Sequence, residues 1–240
     1  MIRTGTPQEA AANRRKLTLA NGTGYFRSEF ITSGFDESLA PQSFLVEQDP
    51  DSIILPHFHV QDEFQVVVKG GGSFGRHAVH PLGIHYAGAH TGYGPITAGS
   101  DGLWYFTLRA RMDQGARFLP ESRDQMQRIP KRQLLGELLT DAGQGAPRID
   151  AVVDEVFAPQ DDGIGAWLMR LPNGGAMASP VHPGGLGRFY LIAAGSAQVT
   201  EGLLDRWATV FVTPEEEPVK VRAGVDGAEV LVLQFPQAGA

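Results

Sequence analysis

Two histidines and one glutamate stand close together in the stretch from Pro56 to Gly70, and their types and spacing suit a metal site. One residue separates His57 from His59, and Glu63 follows four positions after His59. Alternate side chains of a β-strand point to the same face, so a regular strand would carry all three on one face. Two imidazoles and a carboxylate can hold a divalent metal and leave positions open. We therefore predict that His57, His59 and Glu63 bind a metal ion.

The whole pattern is His-x-His, three residues, Glu, six residues and Gly70. It resembles the first motif of the cupin superfamily, whose members carry a metal inside a small β-barrel. The second cupin motif supplies a further histidine after a Pro-x-Gly turn. The corresponding region here is Ala89–Pro95, which lacks that motif and places Tyr93 or Gly94 at the usual histidine position.

Three more residues become candidates through this resemblance. His90 lies beside the altered second motif and is predicted as a fourth metal ligand. Tyr93 is predicted to contact the ligand shell or the substrate through its hydroxyl, and Gln65, two residues after Glu63, is predicted to form a pocket wall. Tyr93 and Gln65 are thus the candidate catalytic residues. The alternative for the histidines is a surface position or a hydrogen-bonded position in the core.

The chain repeats itself at a shift of 125 positions. Gly70 then aligns with Gly195, the Ala98–Gly102 stretch with 223–227, and Leu108 with Leu233. His57 aligns with His182, but His59 meets Gly184 and Glu63 meets Arg188. An arginine in place of a carboxylate repels a metal ion. We therefore predict two related barrels, of which only the first binds metal, with Arg188 either in an anion pocket or paired with an acid.

Composition narrows the class of protein. The chain has 240 residues, 30 glycines, 16 prolines and no cysteine, which favours many short strands and excludes disulfides and thiolate chemistry. The formal net charge of −7 argues against general binding of nucleic acid. Neither an apolar signal segment nor a membrane-spanning run is present in the sequence, so we expect a cytoplasmic protein.

The order of β-rich and polar segments predicts an all-β protein of two tandem cupin barrels, each a jelly roll. Residues 1–16 are predicted to form an N-terminal arm, and residues 17–110 the metal-binding barrel. Residues 111–148 are predicted to form a linker, in which the leucines of 131–139 have helical spacing and Gly143 ends the helix. Residues 149–240 are predicted to form the degenerate barrel.

The leading functional hypothesis is a metal-dependent enzyme acting on a small organic molecule, most simply a non-haem dioxygenase. Open positions on Fe(II) would let the substrate and dioxygen bind side by side. The same ligands suit Mn, Ni or Zn. Two alternatives are a cupin isomerase, decarboxylase or lyase, and a non-catalytic bicupin that binds a small ligand. We expect no nucleic-acid or membrane partner, and a homodimer is compatible with the fold.

Overall fold

Short runs of β-branched and aromatic residues form antiparallel strands in both halves of the chain, as their alternation favours. The structure is a computed structural model that describes residues 1–19, 21–32, 40–138 and 149–237. It has two units. Residues Ala11–Glu137 form one, here the first barrel, and Met1–Ala10 with Leu138–Ala240 form the other, here the second barrel.

The described part of the first 137 residues contains strands, one short helix and one 3-10 turn. They are β1 (Ile2–Gly5), α1 (Pro7–Ala12), β2 (Arg15–Thr18), β3 (Gly24–Ile31), β4 (Gln42–Gln48), β5 (Ile53–Ile54), β6 (His57–Phe58), β7 (Glu63–Phe74), β8 (His77–Val79), β9 (Ile84–Ala87), β10 (Ile96–Arg109), β11 (Arg117–Phe118), the turn Arg123–Gln125 and β12 (Gln133–Gly136). In the first barrel the strands follow the order β12-β9-β7-β10-β4-β3-β2. Strands β5 and β8 pair with β10 and β7, and β11 pairs with β6.

The rest of the described chain is again strands. They are β13 (Val152–Phe157), β14 (Gly165–Leu171), β15 (Ala176–Ala178), β16 (Gly187–Gln198), β17 (Leu204–Asp205), β18 (Thr209–Val212) and β19 (Lys220–Phe235). The second barrel has the order β1-β18-β16-β19-β14-β13, with β15 on β19 and β17 on β16. The central pairs β7–β10 and β16–β19 coincide under the shift of 125 positions, so the sequence repeat is also a repeat of strands.

The repeated glycines mark the same backbone contact in each barrel. Gly70 has a φ of +73° and Gly195 a φ of +65°, a region that L side chains rarely adopt. A Cβ on Gly70 would lie 2.1 Å from the carbonyl oxygen of Gly102, and a Cβ on Gly195 would lie 2.1 Å from that of Gly227. The central strands approach so closely here that only glycine fits at either position.

The predicted helix in residues 131–139 is wrong. Residues Gln133–Gly136 form β12 and pair with β9, so that Leu134 lies opposite Tyr86 and Leu135 opposite His85. The leucine spacing suited a helix, but the edge of β9 offers a full ladder of hydrogen bonds that a short isolated helix cannot match. Leu139 and the predicted stop at Gly143 lie outside the described residues.

The predicted N-terminal arm is also partly ordered as sheet. Strand β1 pairs with β18, with Ile2 opposite Val212, and the N-terminal ammonium donates to Thr213 Oγ1 at 2.7 Å. Strand β2 already begins at Arg15. The edge of β18 explains this difference, because its backbone groups pair with those of β1. The polar sequence of the N-terminal segment does not reveal this pairing. Across the described residues no helix is long and apolar enough to cross a membrane.

Gly70→Ala should destabilise the first barrel far more than Gly22→Ala. Both glycines have positive φ, but a Cβ on Gly22 meets nothing within 4 Å, whereas a Cβ on Gly70 meets a carbonyl oxygen. Backbone strain alone costs about 1–2 kcal/mol, and the overlap at Gly70 should bring the total above about 3 kcal/mol. Urea unfolding followed by tryptophan fluorescence measures the free energy of unfolding of both variants. Equal losses in the two variants would contradict the close approach of the strands.

Candidate functional site

The metal-motif residues are placed by two short strands and a turn rather than by one regular strand. Strand β6 ends at Phe58, and β7 begins at Glu63. The main chain of His57 pairs with that of Tyr93 through two hydrogen bonds of 3.0 Å. The turn does not separate the three side chains, because His57, His59 and Glu63 are all buried and a ring nitrogen of His59 lies 3.9 Å from Glu63.

A cavity of about 100 Å³ opens beside these residues in the first barrel. Its polar wall includes histidine, tyrosine, threonine and arginine side chains, and its apolar wall comes from the strands and from the segment after β10. The lining residues are Leu19, Tyr25, Arg27, Phe44, Val46, Ile54, His57, His59, Gln65, Tyr93, Tyr105, Thr107, Arg109, Gly115, Ala116 and Phe118. The site residues thus face a space that can admit a small molecule.

Glu63 and Arg109 form a buried ion pair beside the cavity, which Arg109 lines. Arg109 donates from Nε at 3.1 Å and from Nη2 at 2.7 Å to Glu63 Oε2. Burial alone raises the pKa of Glu63, but the charges of His59 and Arg109 and the Tyr93 hydrogen bond outweigh it and hold that pKa below its ordinary value. The carboxylate is therefore ionised at neutral pH, and the guanidinium is its counter-charge.

The hydroxyl of Tyr93 lies between the other inward-facing groups. It donates a short hydrogen bond to Glu63 Oε1, lies 2.9 Å from His57 Nε2, and accepts from Gln65 Nε2 at 3.2 Å. Burial, with the neighbouring Glu63 carboxylate, raises the pKa of Tyr93 well above its ordinary value. Tyr93 is therefore a neutral phenol that acts as a hydrogen-bond donor to Glu63. The structure brings Tyr93 and Gln65 together with the predicted triad.

His59 is oriented by Asp113, a residue that the sequence did not point to. The ring donates from Nδ1 to Asp113 Oδ1 at 2.7 Å, since a carboxylate can only accept. Asp113 is itself held by backbone N–H donors of Val60 and Gly115 at 2.9 and 2.7 Å. Although burial raises the pKa of Asp113, these hydrogen bonds and nearby charges lower it well below the ordinary value. The pair therefore fixes the orientation of the His59 ring, with Nδ1 on Asp113 and Nε2 3.1 Å from Arg109 Nη2.

His57 and His85 are neutral histidines within the barrel. His57 donates from Nδ1 to the Leu55 carbonyl at 2.8 Å, and His85 donates from Nδ1 to Gln65 Oε1 at 2.8 Å. Burial lowers the pKa of each from 6.5 to about 4. His85 lies opposite Gln65 in the β7–β9 ladder, so its ring shares the face of the barrel that carries Gln65 and Glu63.

His90 lies apart from this cluster. Its ring packs against Phe58 at 5.7 Å, and its Nδ1 accepts from the backbone N–H of Gln127 at 3.3 Å. Phe58 stands between His57 and His59 in the sequence and so faces away from them. His90 instead shapes the turn through its backbone, which has a φ of +55° and donates to the His59 carbonyl at 2.7 Å. Its predicted role as a fourth ligand has no support in this placement.

The donor atoms present do not fit a divalent metal as they are arranged. Arg109 and Tyr93 bind both oxygens of Glu63, Tyr93 faces His57 Nε2, and Arg109 Nη2 lies 3.1 Å from both ring nitrogens of His59. Within the described ranges, no three His, Cys, Asp or Glu side chains are grouped to hold a metal ion. The metal site, whether for Fe(II) or for Mn, Ni or Zn, stays a prediction.

The second barrel keeps only a trace of this arrangement. Arg188 is buried and donates to the Tyr190 hydroxyl and to the main-chain oxygens of Glu216 and Glu217, each at 3.0 Å. His182 lies near the surface, where its Nδ1 donates to the Pro183 carbonyl at 2.8 Å. Arg188 is thus satisfied mainly by carbonyl groups, rather than by the acid side chains that the sequence suggested.

Comparison with solved structures identifies the fold. No protein-family model matches the chain, and no curated protein matches it. Several solved structures do. Bacterial pirin YhhW from Escherichia coli in complex with nickel(II) is 12% identical, with a TM-score of 0.61 over 99% of this chain and 100% of that one. A putative dioxygenase from Nostoc punctiforme is 13% identical, with a TM-score of 0.62 over 100% and 81%.

A third similar structure is the formate complex of the Lactobacillus farciminis oxalate decarboxylase, which is 11% identical with a TM-score of 0.61 over 94% of this chain and 84% of that one. At such low identity the likeness concerns the fold. These proteins are members of the cupin superfamily, and two-barrel cupins are among them. The chain therefore has the two-barrel cupin fold, and the predicted fold class is confirmed.

The first barrel should lose stability between pH 6.5 and 4 in a way that depends on His85. A histidine with a pKa of about 4 when folded and 6.5 when unfolded is protonated first in the unfolded chain. Its contribution is complete above pH 6.5 and is lost as the pH falls towards 4, at up to about 1.4 kcal/mol per pH unit. Urea unfolding of wild type and His85→Gln at pH 7, 6 and 5 should show a weaker pH dependence in the variant.

His80→Gln is the matched control for this experiment, because His80 is exposed at the end of the neighbouring hairpin. It should leave the pH dependence of the wild type unchanged. Equal slopes for His85→Gln and wild type would mean that His85 is not buried in its neutral form.

Proposed function

We propose that the first barrel is an enzyme site for proton transfer on a small, oxygen-bearing organic molecule, in the isomerase, lyase or decarboxylase class. The observation that carries this proposal is the buried 2.7 Å hydrogen bond from His59, which lines the cavity, to Asp113 behind it. A carboxylate that fixes one ring nitrogen of a histidine leaves the other as an oriented base. Tyr93, a neutral phenol on the same cavity, is the complementary acid.

The roles follow from the groups present. His59 takes a proton from a carbon next to a carbonyl group, and its imidazolium is stabilised by Asp113. Negative charge then develops on the substrate oxygen. Tyr93 donates a hydrogen bond to that oxygen or returns a proton, and the buried Arg109 supplies a fixed positive charge. For an isomerase the proton returns to a neighbouring carbon, and for a lyase the enolate expels a leaving group. For a decarboxylase, loss of CO2 forms the same enolate, which is then protonated. None of these routes needs dioxygen.

The cavity limits what the substrate can be. Its volume of about 100 Å³ is small beside the 300–1,000 Å³ typical of drug-sized pockets. Tyr105 and Thr107 add hydroxyl groups to one wall, while Phe44 and Phe118 add apolar surface. A short hydroxy or oxo compound, with an apolar part, suits these walls.

Hydrogen–deuterium exchange at carbon tests this function directly, because it detects proton removal whatever product is later formed. Chelator-treated protein is incubated anaerobically in D2O with short 2-oxo acids, hydroxyketones and 1,3-dicarbonyl compounds, and NMR follows C–H loss. Wild type should accelerate exchange for at least one compound. Asp113→Asn should slow that exchange by roughly 100- to 10,000-fold, because the ring of His59 is left in the wrong tautomer.

Tyr93→Phe should also slow the exchange, whereas Tyr190→Phe, which removes a buried hydroxyl from the second barrel, should not. Binding of a compound without exchange would favour the non-catalytic bicupin instead. Exchange that Asp113→Asn leaves unaffected would rule out His59 as the base.

A metal-dependent oxidoreductase is the second candidate, and the donor types of His57, His59 and Glu63 favour it. Those residues would hold the metal, which would supply open positions for substrate and dioxygen. This function requires Tyr93 and Arg109 to give up their present contacts with the three donors. Oxygen uptake by Fe(II)-treated wild type, lost in His57→Ala, would favour it over proton transfer.

A further inference from the structure

We propose that Arg109 and Tyr93 together take the place of the metal ion in the first barrel. A cupin motif with intact His57, His59 and Glu63 then works as a metal-free polar cluster. The inference rests on the same pocket as the proposed function. Metal binding is measured without a substrate, however, so either proposal can fail alone.

Arg109 supplies the charge that a metal would otherwise bring. Its guanidinium makes two hydrogen bonds to one oxygen of Glu63 and lies 3.1 Å from both ring nitrogens of His59. The side chain is buried and also lies over the ring of Phe44, 5.4 Å from its centroid. A divalent cation beside Glu63 and His59 would meet this fixed positive charge at contact distance, which is strongly unfavourable in a buried site.

Tyr93 fills the place between the remaining donors. A tyrosine is longer than the histidine that this position usually carries, and its hydroxyl reaches both Glu63 Oε1 and His57 Nε2. A ligand histidine would stop short of these atoms and leave room for an ion among them. The hydroxyl therefore occupies the point on which His57 and Glu63 converge.

The second barrel indicates that residues 63 and 109 change together. Under the shift of 125 positions, Glu63 matches Arg188 and Arg109 matches Gln234. Arg188 and Gln234 are direct partners in the β16–β19 ladder. Where the carboxylate is absent, the arginine on the partner strand is absent as well. This pattern is expected if the role of Arg109 is to neutralise Glu63.

The test is to reopen the site. The double variant Tyr93→His/Arg109→Gln restores a ligand-length imidazole and removes the cation, with glutamine chosen because the second barrel carries it at the matching position. Protein made without a histidine tag is assayed by elemental analysis and by calorimetric titration with Ni2+. Wild type should hold far less than one metal per chain. The double variant should bind about one Ni2+, at least about 100-fold more tightly than wild type.

His57→Ala in the double variant should abolish the gained binding. Arg188→Gln is the matched control, because it removes a buried arginine where no histidine matches His59, and it should bind no Ni2+.

If the double variant is unfolded without metal, Ni2+ should restore its near-UV circular dichroism, since binding energy then becomes folding energy. Wild type with about one tightly bound metal that His57→Ala removes would overturn the inference. A folded double variant that binds no Ni2+ would also overturn the inference. An unfolded double variant whose circular dichroism Ni2+ does not restore would do the same.

Discussion

The charge of Glu63 governs the organisation of the first barrel. The carboxylate is fully buried, and an unpaired buried charge would destabilise the fold by several kcal/mol. Arg109 on β10 balances it, and the two lie one step beyond the Phe64–Leu108 pair of the β7–β10 ladder. The ion pair therefore joins the two central strands from inside the barrel. Because both of its members also touch Tyr93 or His59, the positions of the site groups depend on it.

The two barrels share the same pairing of central strands but differ in the side chains that point into the interior. Gln65 and Thr107 line the cavity of the first barrel, and the shift of 125 positions turns them into Tyr190 and Val232. Both of these residues belong to the tightly packed apolar core of the second barrel. The matching positions of the second barrel thus carry side chains that belong to its apolar core. The fold is thus kept by the repeated glycines and strand pairs, while the inward-facing residues decide whether a barrel holds a site or a core.

Local patterns predicted what depends on nearby residues and missed what depends on distant ones. The His-x-His spacing, the repeat and the glycine turns predicted the two barrels and the grouping of His57, His59 and Glu63 on one face. Asp113 lies 54 positions after His59 in a segment with no regular pattern, so only the folded chain reveals their contact. The sequence repeat gave a weak indication for Arg109, because the residues that match Arg109 and Glu63 in the second barrel both differ from them. The helix predicted from the leucines of 131–139 was wrong for the same reason, because local spacing does not reveal the free edge of β9.

The hydrogen atoms of the site link its structure to the proposed reaction. His57 donates from Nδ1 to the Leu55 carbonyl, so neutral His57 presents a lone pair at Nε2 to the Tyr93 hydroxyl. Glu63 presents another acceptor to the same hydroxyl, which has only one hydrogen to give. The resting cluster is therefore one proton short of a full set of hydrogen bonds. Because the pKa values of His57 and Glu63 are both lowered, neither acceptor is protonated at neutral pH, and the single hydrogen of Tyr93 serves two acceptors.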